Sequence, residues 1–265
     1  MAIYRIDSDE FLGNNKTLFE VVMLADGSGN IINSFAQSSN INLAAGLIDG
    51  YSHINKFGYM GTDQNGTATI WDNNSVSDLY PYPSSANTIT ATSSSGTDAG
   101  KTVEVQGLDE NYNLVTEELT IAGAASSAQF TRVFRAIFTS AGSNAGKISI
   151  NHDGTAIAAI LVGNGQTLMA VYTIPAGKTG YLVKYHGSMD KQNVDVKHQL
   201  FARIIGDGAF NIKGQWGTQG GNSVNYDYAV PLKFTEKTDI EARMTTNGNC
   251  GGGATFDIVL VDNEI

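Results

Sequence analysis

Residues 194–204 read VDVKHQLFARI, and no helix can sort them. Val194, Val196, His198, Leu200, Ala202 and Ile204 fall on one side of a period-two pattern, and Asp195, Lys197, Gln199, Phe201 and Arg203 on the other. Strict alternation over this length is a strand with one covered face. The pattern recurs at 130–138, where aromatics and Ala136 alternate with Thr131, Val133, Arg135 and Ile137. It recurs again at 179–186 and at 255–261. Arg132 shares the aromatic face of its segment, so its guanidinium must reach a rim or a buried acceptor.

Turn signals separate these segments. "SSGTDAG", "GLDENYN" and "HDGT" supply the Gly, Asn and Asp that tight turns need. Strands are expected at 89–95, 102–106, 114–121, 129–139 and 147–150. A second block follows at 167–174, 179–186, 194–205, 210–213, 225–232, 239–246 and 255–261. Earlier, 18–24 reads as a strand turned back by "ADGSGN" into Ile31-Ile32, and 67–71 as another strand. "YPYPSSAN" (80–87) is an irregular connector, and 43–51 fits a short helix or a buried strand. With only 16% charged residues and 30 glycines, the composition suits strands and turns, not long charged helices. The expected fold is all-β: two antiparallel β-sandwich or jelly-roll-like modules with little helix. The modules are placed at 1–160 and 161–265, with "ILVGNGQT" (160–167) between them. About the first 45 residues form an irregular attachment segment. No repeat of 20–50 residues favours a propeller or solenoid.

Short motifs that suggest chemistry fail on spacing. Gly177-Lys178-Thr179 ends like a phosphate-binding loop, but the early glycine position holds Tyr172, Pro175 removes a needed N–H, and 181–185 alternates as a strand. The stretch is a hairpin with Lys178 as a solvated turn residue. Asp26, Ser28 and Asn30 have the spacing of a calcium loop, yet its closing glutamate position is Gln37. His53, His152, His186 and His198 show no metal-ligand spacing. His198 is expected as a hydrogen-bonded core residue, His152 as a solvated turn residue, and His186 at a surface or interface. Glu117 and Glu118 point to opposite faces of one strand. Asp63, Asp72, Asp109 and Glu110 lie in turns, where such residues bond the local backbone. No nucleophile elbow is present. Catalytic residues, cofactor and metal sites are therefore expected to be absent.

A net charge of −10 with no basic cluster argues against nucleic acid, whose phosphates require grouped Lys and Arg. No apolar run approaches a membrane span, and the start MAIYRIDSDE lacks signal-peptide character. Cys250 is the sole cysteine, so no intrachain disulfide forms, which suits folding in a reducing cytosol. One segment is different. "GQWGTQGGNSVNYDY" carries Trp216, Tyr226 and Tyr228 among glycines, Asn and Gln, which are the materials of a subunit interface or a sugar-binding patch. The plainer reading is that they cover the end of a sandwich; as candidate interface residues, the three point to a homo-oligomer formed through the C-terminal module.

Longer segments resemble a known type of protein. "KTVEVQGLDENYNLVTEELTIAG", "FTRVFRAIFTSAGSNAGKISI", "GQTLMAVYTIPAGKTGYLVKY" and "PLKFTEKTDIEARMTTN…ATFDIVLVD" are similar to β-rich virion structural proteins of tailed, aquatic bacteriophages. The similarity runs from about residue 54 to the C-terminus and contains no catalytic motif. It implies a non-enzymatic virion protein, assembled in the host cytoplasm, that decorates or stabilises the capsid exterior beside the major capsid protein. By analogy with phage surface proteins the oligomer would be a trimer. The alternatives are a tail or fibre component that meets the host surface, and a phage-borne glycan-binding or glycan-hydrolysing module.

Overall fold

The computed structural model describes residues 3–4, 23–25, 31–32, 39–61, 65–73, 78–205 and 208–263. The chain divides into two compact units, Met1–His53 and Ile54–Ile265. In the first, β1 (Ile3–Tyr4), β2 (Met23–Ala25) and β3 (Ile31–Ile32) form a small antiparallel sheet, followed by helix α1 (Ser39–Ala44). Of the strand read at 18–24, Met23 and Leu24 fall in β2; the rest lies outside the described residues, as do Asp26, Ser28 and Asn30. The 43–51 stretch is neither a single helix nor a strand. α1 ends at Ala44, a turn follows, and Tyr51 begins β4.

The second unit begins with β4 (Tyr51–Met60), β5 (Gly66–Thr69), β6 (Ile89–Ser93), β7 (Thr102–Leu108), β8 (Leu114–Thr120) and β9 (Arg132–Phe138). It continues with β10 (Ile148–His152), β11 (Thr155–Ile160), β12 (Val171–Thr173), β13 (Lys178–Met189) and β14 (Asp195–Ile204). The last strands are β15 (Asn211–Gln219), β16 (Ser223–Phe234), β17 (Thr238–Thr246) and β18 (Gly252–Asp262). The chain is all-β, every recorded strand pairing is antiparallel, and helix among the described residues is confined to α1 and a 3-10 turn at Gly96–Asp98.

Two sandwiches result. The first packs sheet β11-β10-β6 against sheet β8-β7-β9. Its core includes Ile89, Val103, Val105, Phe130, Ile148, Ile150 and Ile160. The second packs β16-β13-β18-β4 against β12-β17-β14-β15, with β5 also paired to β17. Its core includes Leu182, Tyr185, Leu200, Ile240, Met244, Phe256 and Ile258. β4 and β5 come from before residue 70, yet they complete the sheets that carry the C-terminal strands. The turn before β13 is a hairpin corner: Gly177 is left-handed (φ 72), and the chain after Thr179 runs on as strand. Lys178 differs from its expected place. It is the first residue of β13, partly buried, and ion-paired to Asp262 across the β13–β18 register.

Candidate functional site

β15 and β16 are the edge strands of the two facing sheets of the second sandwich, so its open side lies between them. The three aromatics of the candidate interface meet there. Trp216 stacks on buried Tyr185 of β13 at 4.4 Å and 13° between planes. Tyr226 lies 5.6 Å from Trp216, and Tyr228 lies 4.7 Å from Tyr226, edge to face. Offset and edge-to-face pairs of this kind each contribute about 0.5–1.5 kcal/mol beyond burial. The ladder grades outward from fully buried Tyr185, through partly buried Trp216 and Tyr228, to Tyr226 at 44% exposure. Trp216 can fold along its own strand because residue 214 is glycine; a Cβ there would collide with the indole ring.

Polar atoms without hydrogen-bond partners concentrate behind the ladder. The hydroxyls of Tyr185, Tyr228 and Thr218 and both ring nitrogens of His198 are buried and unpartnered. His198 faces inward as the alternation requires, opposite Trp216 in register. Its expected hydrogen bond is absent, however. Its ring sits over Gly187 of the opposite sheet, where an added Cβ would be 2.7 Å from Cγ. Packing fixes this histidine. Burial, with a smaller contribution from His186, lowers its pKa to about 4, so it is neutral at pH 7. Burial likewise pushes Tyr228 up to about 12.

Away from the ladder, the same edge opens into a cleft of about 340 Å³ lined by Ile204, Leu232, Phe234, Lys213 and Lys233, among others. Ile212 is 52% exposed and Val230 81% exposed. Both edge strands are interrupted. Lys213 is the extra residue where Leu200 pairs with Gly214 and Phe201 with Ile212. Residues 228–231 of β16 stand opposite Val183 alone, since Leu182 pairs with Leu232 and Lys184 with Asp227. Bulges, edge lysines and Pro231 discourage indiscriminate strand addition. Contacts through side chains remain open to this edge.

The carboxylates do not converge on a reaction centre. Glu117 and Glu118 occupy opposite faces of β8; Glu117 accepts the Ser127 and Ala128 amides, and Glu118 accepts the Thr139 hydroxyl at 3.0 Å. Asp109 bonds the amides of Asn111 and Asn113 within its turn, at 2.8 Å each. Asp63 lies outside the described residues. Asp98 is buried in the first sandwich. Burial alone would raise its pKa, but the Ala145 and Gly146 amides, the Ser93 hydroxyl and Lys101 outweigh that and hold it below the usual range. Two residues depart from expectation. His152 is buried, not solvated, and Asp72 is buried and bonded by Asn164 at 2.9 Å instead of serving its own turn. Among the described residues, no group of His, Cys, Asp and Glu has the arrangement of a metal site.

The densest charge cluster joins the two sandwiches. Arg132 of β9 grips Asp239 of β17 with Nε at 2.8 Å and Nη2 at 3.0 Å. Arg203 adds a bond of 2.7 Å, and the Thr173 hydroxyl another of 2.7 Å. The Arg132 and Arg203 guanidiniums both lie on Tyr82, at 5.2 and 4.9 Å. Arg243 pairs with buried Glu241 and covers Phe201 at 4.0 Å. Of the two places open to Arg132, a rim or a buried acceptor, the structure has the buried acceptor, Asp239, and the cluster is a clamp filled by its own members.

No family model matches this chain. No curated protein matches it either. Among solved structures it is similar to that of the Gx strain of infectious bursal disease virus, with 10% identity, coverage of 80% of this chain and 72% of that one, and a TM-score of 0.24. The Gt strain structure gives 11%, 81%, 73% and 0.21. The VP2 subviral particle of the same virus gives 8%, 81%, 72% and 0.21. At these TM-scores the likeness assigns neither fold nor function.

Proposed function

We propose that this chain is a non-enzymatic structural component of a virion, seated on the capsid exterior against the major capsid protein and associating with further copies of itself. The aromatic ladder carries the proposal. Trp216, Tyr226 and Tyr228 converge at one open sandwich edge, partly exposed and backed by unpartnered polar atoms. Trp and Tyr are the usual energetic anchors of interfaces, and a second surface there would cover apolar area and exclude water. The resemblance of residues 54 onward to tailed-phage structural proteins supports the virion setting. The structural engagement of Asp98, Asp239 and Glu241 is consistent with a role in assembly, not catalysis. A trimer built through the β15–β16 edge is the proposed state.

Quantitative mass spectrometry of purified particles tests the proposal. A shell decoration is present in hundreds of copies. A few copies per particle would move the chain to the tail or fibre. Hydrolysis of host polysaccharide by the isolated protein, lost on a single Asp or Glu substitution, would overturn the non-enzymatic reading.

A further inference from the structure

Asp72, Asn73 and Lys147 form a cluster that neither the proposed interface nor the sandwich clamp uses. Lys147 Nζ lies 3.0 Å from the side-chain oxygen Oδ1 of Asn73 and 2.8 Å from its backbone oxygen. The two residues are 74 positions apart in sequence. Each is held from its own side. The Lys147 backbone is bonded in both directions to Ser94, at 2.9 Å each. The Asn73 amide donates to the Trp71 carbonyl at 3.1 Å, and Trp71 bridges to Met169. Asp72, the chain neighbour of Asn73, is 3% exposed and fixed by Asn164.

Lys147 and Asn73 bring a nucleophilic amine into contact with an electrophilic carboxamide. The buried carboxyl of the preceding residue, Asp72, is not hydrogen-bonded to either but is near enough for its charge to act on Lys147. We propose that Lys147 and Asn73 form an intramolecular isopeptide bond, with Asp72 as the proton-transfer group. The neutral amine of Lys147 attacks Asn73 Cγ. The new Cγ–Nζ bond forms, the Cγ–Nδ2 bond breaks, and Nδ2 leaves as ammonia. One proton passes from the lysine nitrogen to the departing nitrogen; Asp72 takes it up and delivers it, and ends in the state in which it began. No oxidant or other reagent enters.

The surroundings favour both reactive forms. Burial lowers the pKa of Lys147 against the opposing charge of Asp72, which increases its unprotonated fraction. Burial also raises Asp72 to about 6, with Asn164 and Lys147 opposing, so both of its protonation states are accessible near neutral pH. A carboxyl with that balance is suited to receiving and returning a proton. The product would tie the segment after β5 to the first residue before β10 and close a long loop of the first sandwich, an apt reinforcement for a particle surface.

Intact-mass measurement of the purified full chain, followed by digestion and peptide sequencing, tests this. The expected result is a folded protein lighter by one ammonia, with a branched peptide joining residues 73 and 147. Lys147→Arg and Asn73→Ala should each retain the full mass, and Asp72→Asn should slow the loss at least tenfold. A folded wild type of full mass after prolonged incubation overturns the proposal. So does an ammonia loss that maps to a succinimide at an Asn-Gly pair, at Asn65, Asn164 or Asn247. The wild-type measurement stands whether or not the variants fold. A wild-type rate in Asp72→Asn overturns the role given to Asp72.

Discussion

Asp239→Ala should uncouple the two sandwiches. The carboxylate is fully buried and accepts from Arg132 twice, from Arg203 and from Thr173. Truncation leaves the 5%-exposed Arg132 without its counter-ion. Removing one partner of a buried ion pair costs about 3–5 kcal/mol, because the remaining charge stays desolvated. Against a total stability of about 5–15 kcal/mol for a domain, that is a large fraction. For a unit of this size it lowers the melting temperature by roughly 10 °C. The chain has 2 tryptophans, and they divide conveniently: Trp71 belongs to the core of the first sandwich and Trp216 packs on that of the second. Urea unfolding followed in Trp71→Phe and Trp216→Phe backgrounds therefore reads each sandwich separately. The two transitions should coincide with Asp239 present and separate in Asp239→Ala, with Asp239→Asn intermediate because it keeps shape but not charge. A cost below about 1 kcal/mol, with coincident transitions, would show that the clamp contributes no more than a surface pair and that the reasoning is wrong.

Two further outcomes follow. The folded-state pKa of His198 is depressed to about 4 from 6.5, so its contribution is complete above 6.5 and is lost as pH falls toward 4. At about 1.4 kcal/mol per pKa unit, acid should remove up to ~3 kcal/mol by urea unfolding, and His198→Leu should flatten that part of the profile; an unchanged profile contradicts it. Lys178 and Asp262 form a half-exposed pair, so Lys178→Ala should cost about 0–1 kcal/mol, and calorimetric titration of wild type with ATP should show no saturable heat.

Much of the second unit was legible in the sequence because its strands bury one face. The alternation at 194–204 placed His198 inside, and the position of Arg132 among aromatics called for either a rim or a buried acceptor, of which the structure has the second, Asp239. What escaped was set by long-range pairing. In β4 the buried positions 56, 58 and 60 do alternate, but two of them are Lys56 and Gly58 while Tyr59 faces out, so the apolar residues do not trace the pattern. β11 has buried Ile157, Ala158, Ala159 and Ile160 in succession, a continuous run that period two does not detect. Nor does any local pattern say that β5 will pair with β17. For the site, residue type alone brought out Trp216, Tyr226 and Tyr228. Their stacking on Tyr185 depends on two sheets meeting. Histidine burial was harder to read: His152 looked like a turn residue because its neighbours Asp153 and Gly154 are turn formers, yet it closes β10 with its ring inside.

The central claim is that the β15–β16 edge is an assembly surface. Sedimentation velocity at micromolar concentration, comparing wild type with Trp216→Ala, tests it most directly. In the proposed interface Trp216 is an aromatic anchor, of the kind whose truncation costs about 2 kcal/mol or more, enough to weaken association more than tenfold. The account predicts an oligomeric wild type and a variant shifted toward monomer with its fold retained by circular dichroism. A wild type that stays monomeric at the highest attainable concentration would contradict it, as would a folded Trp216→Ala that associates as strongly as the wild type.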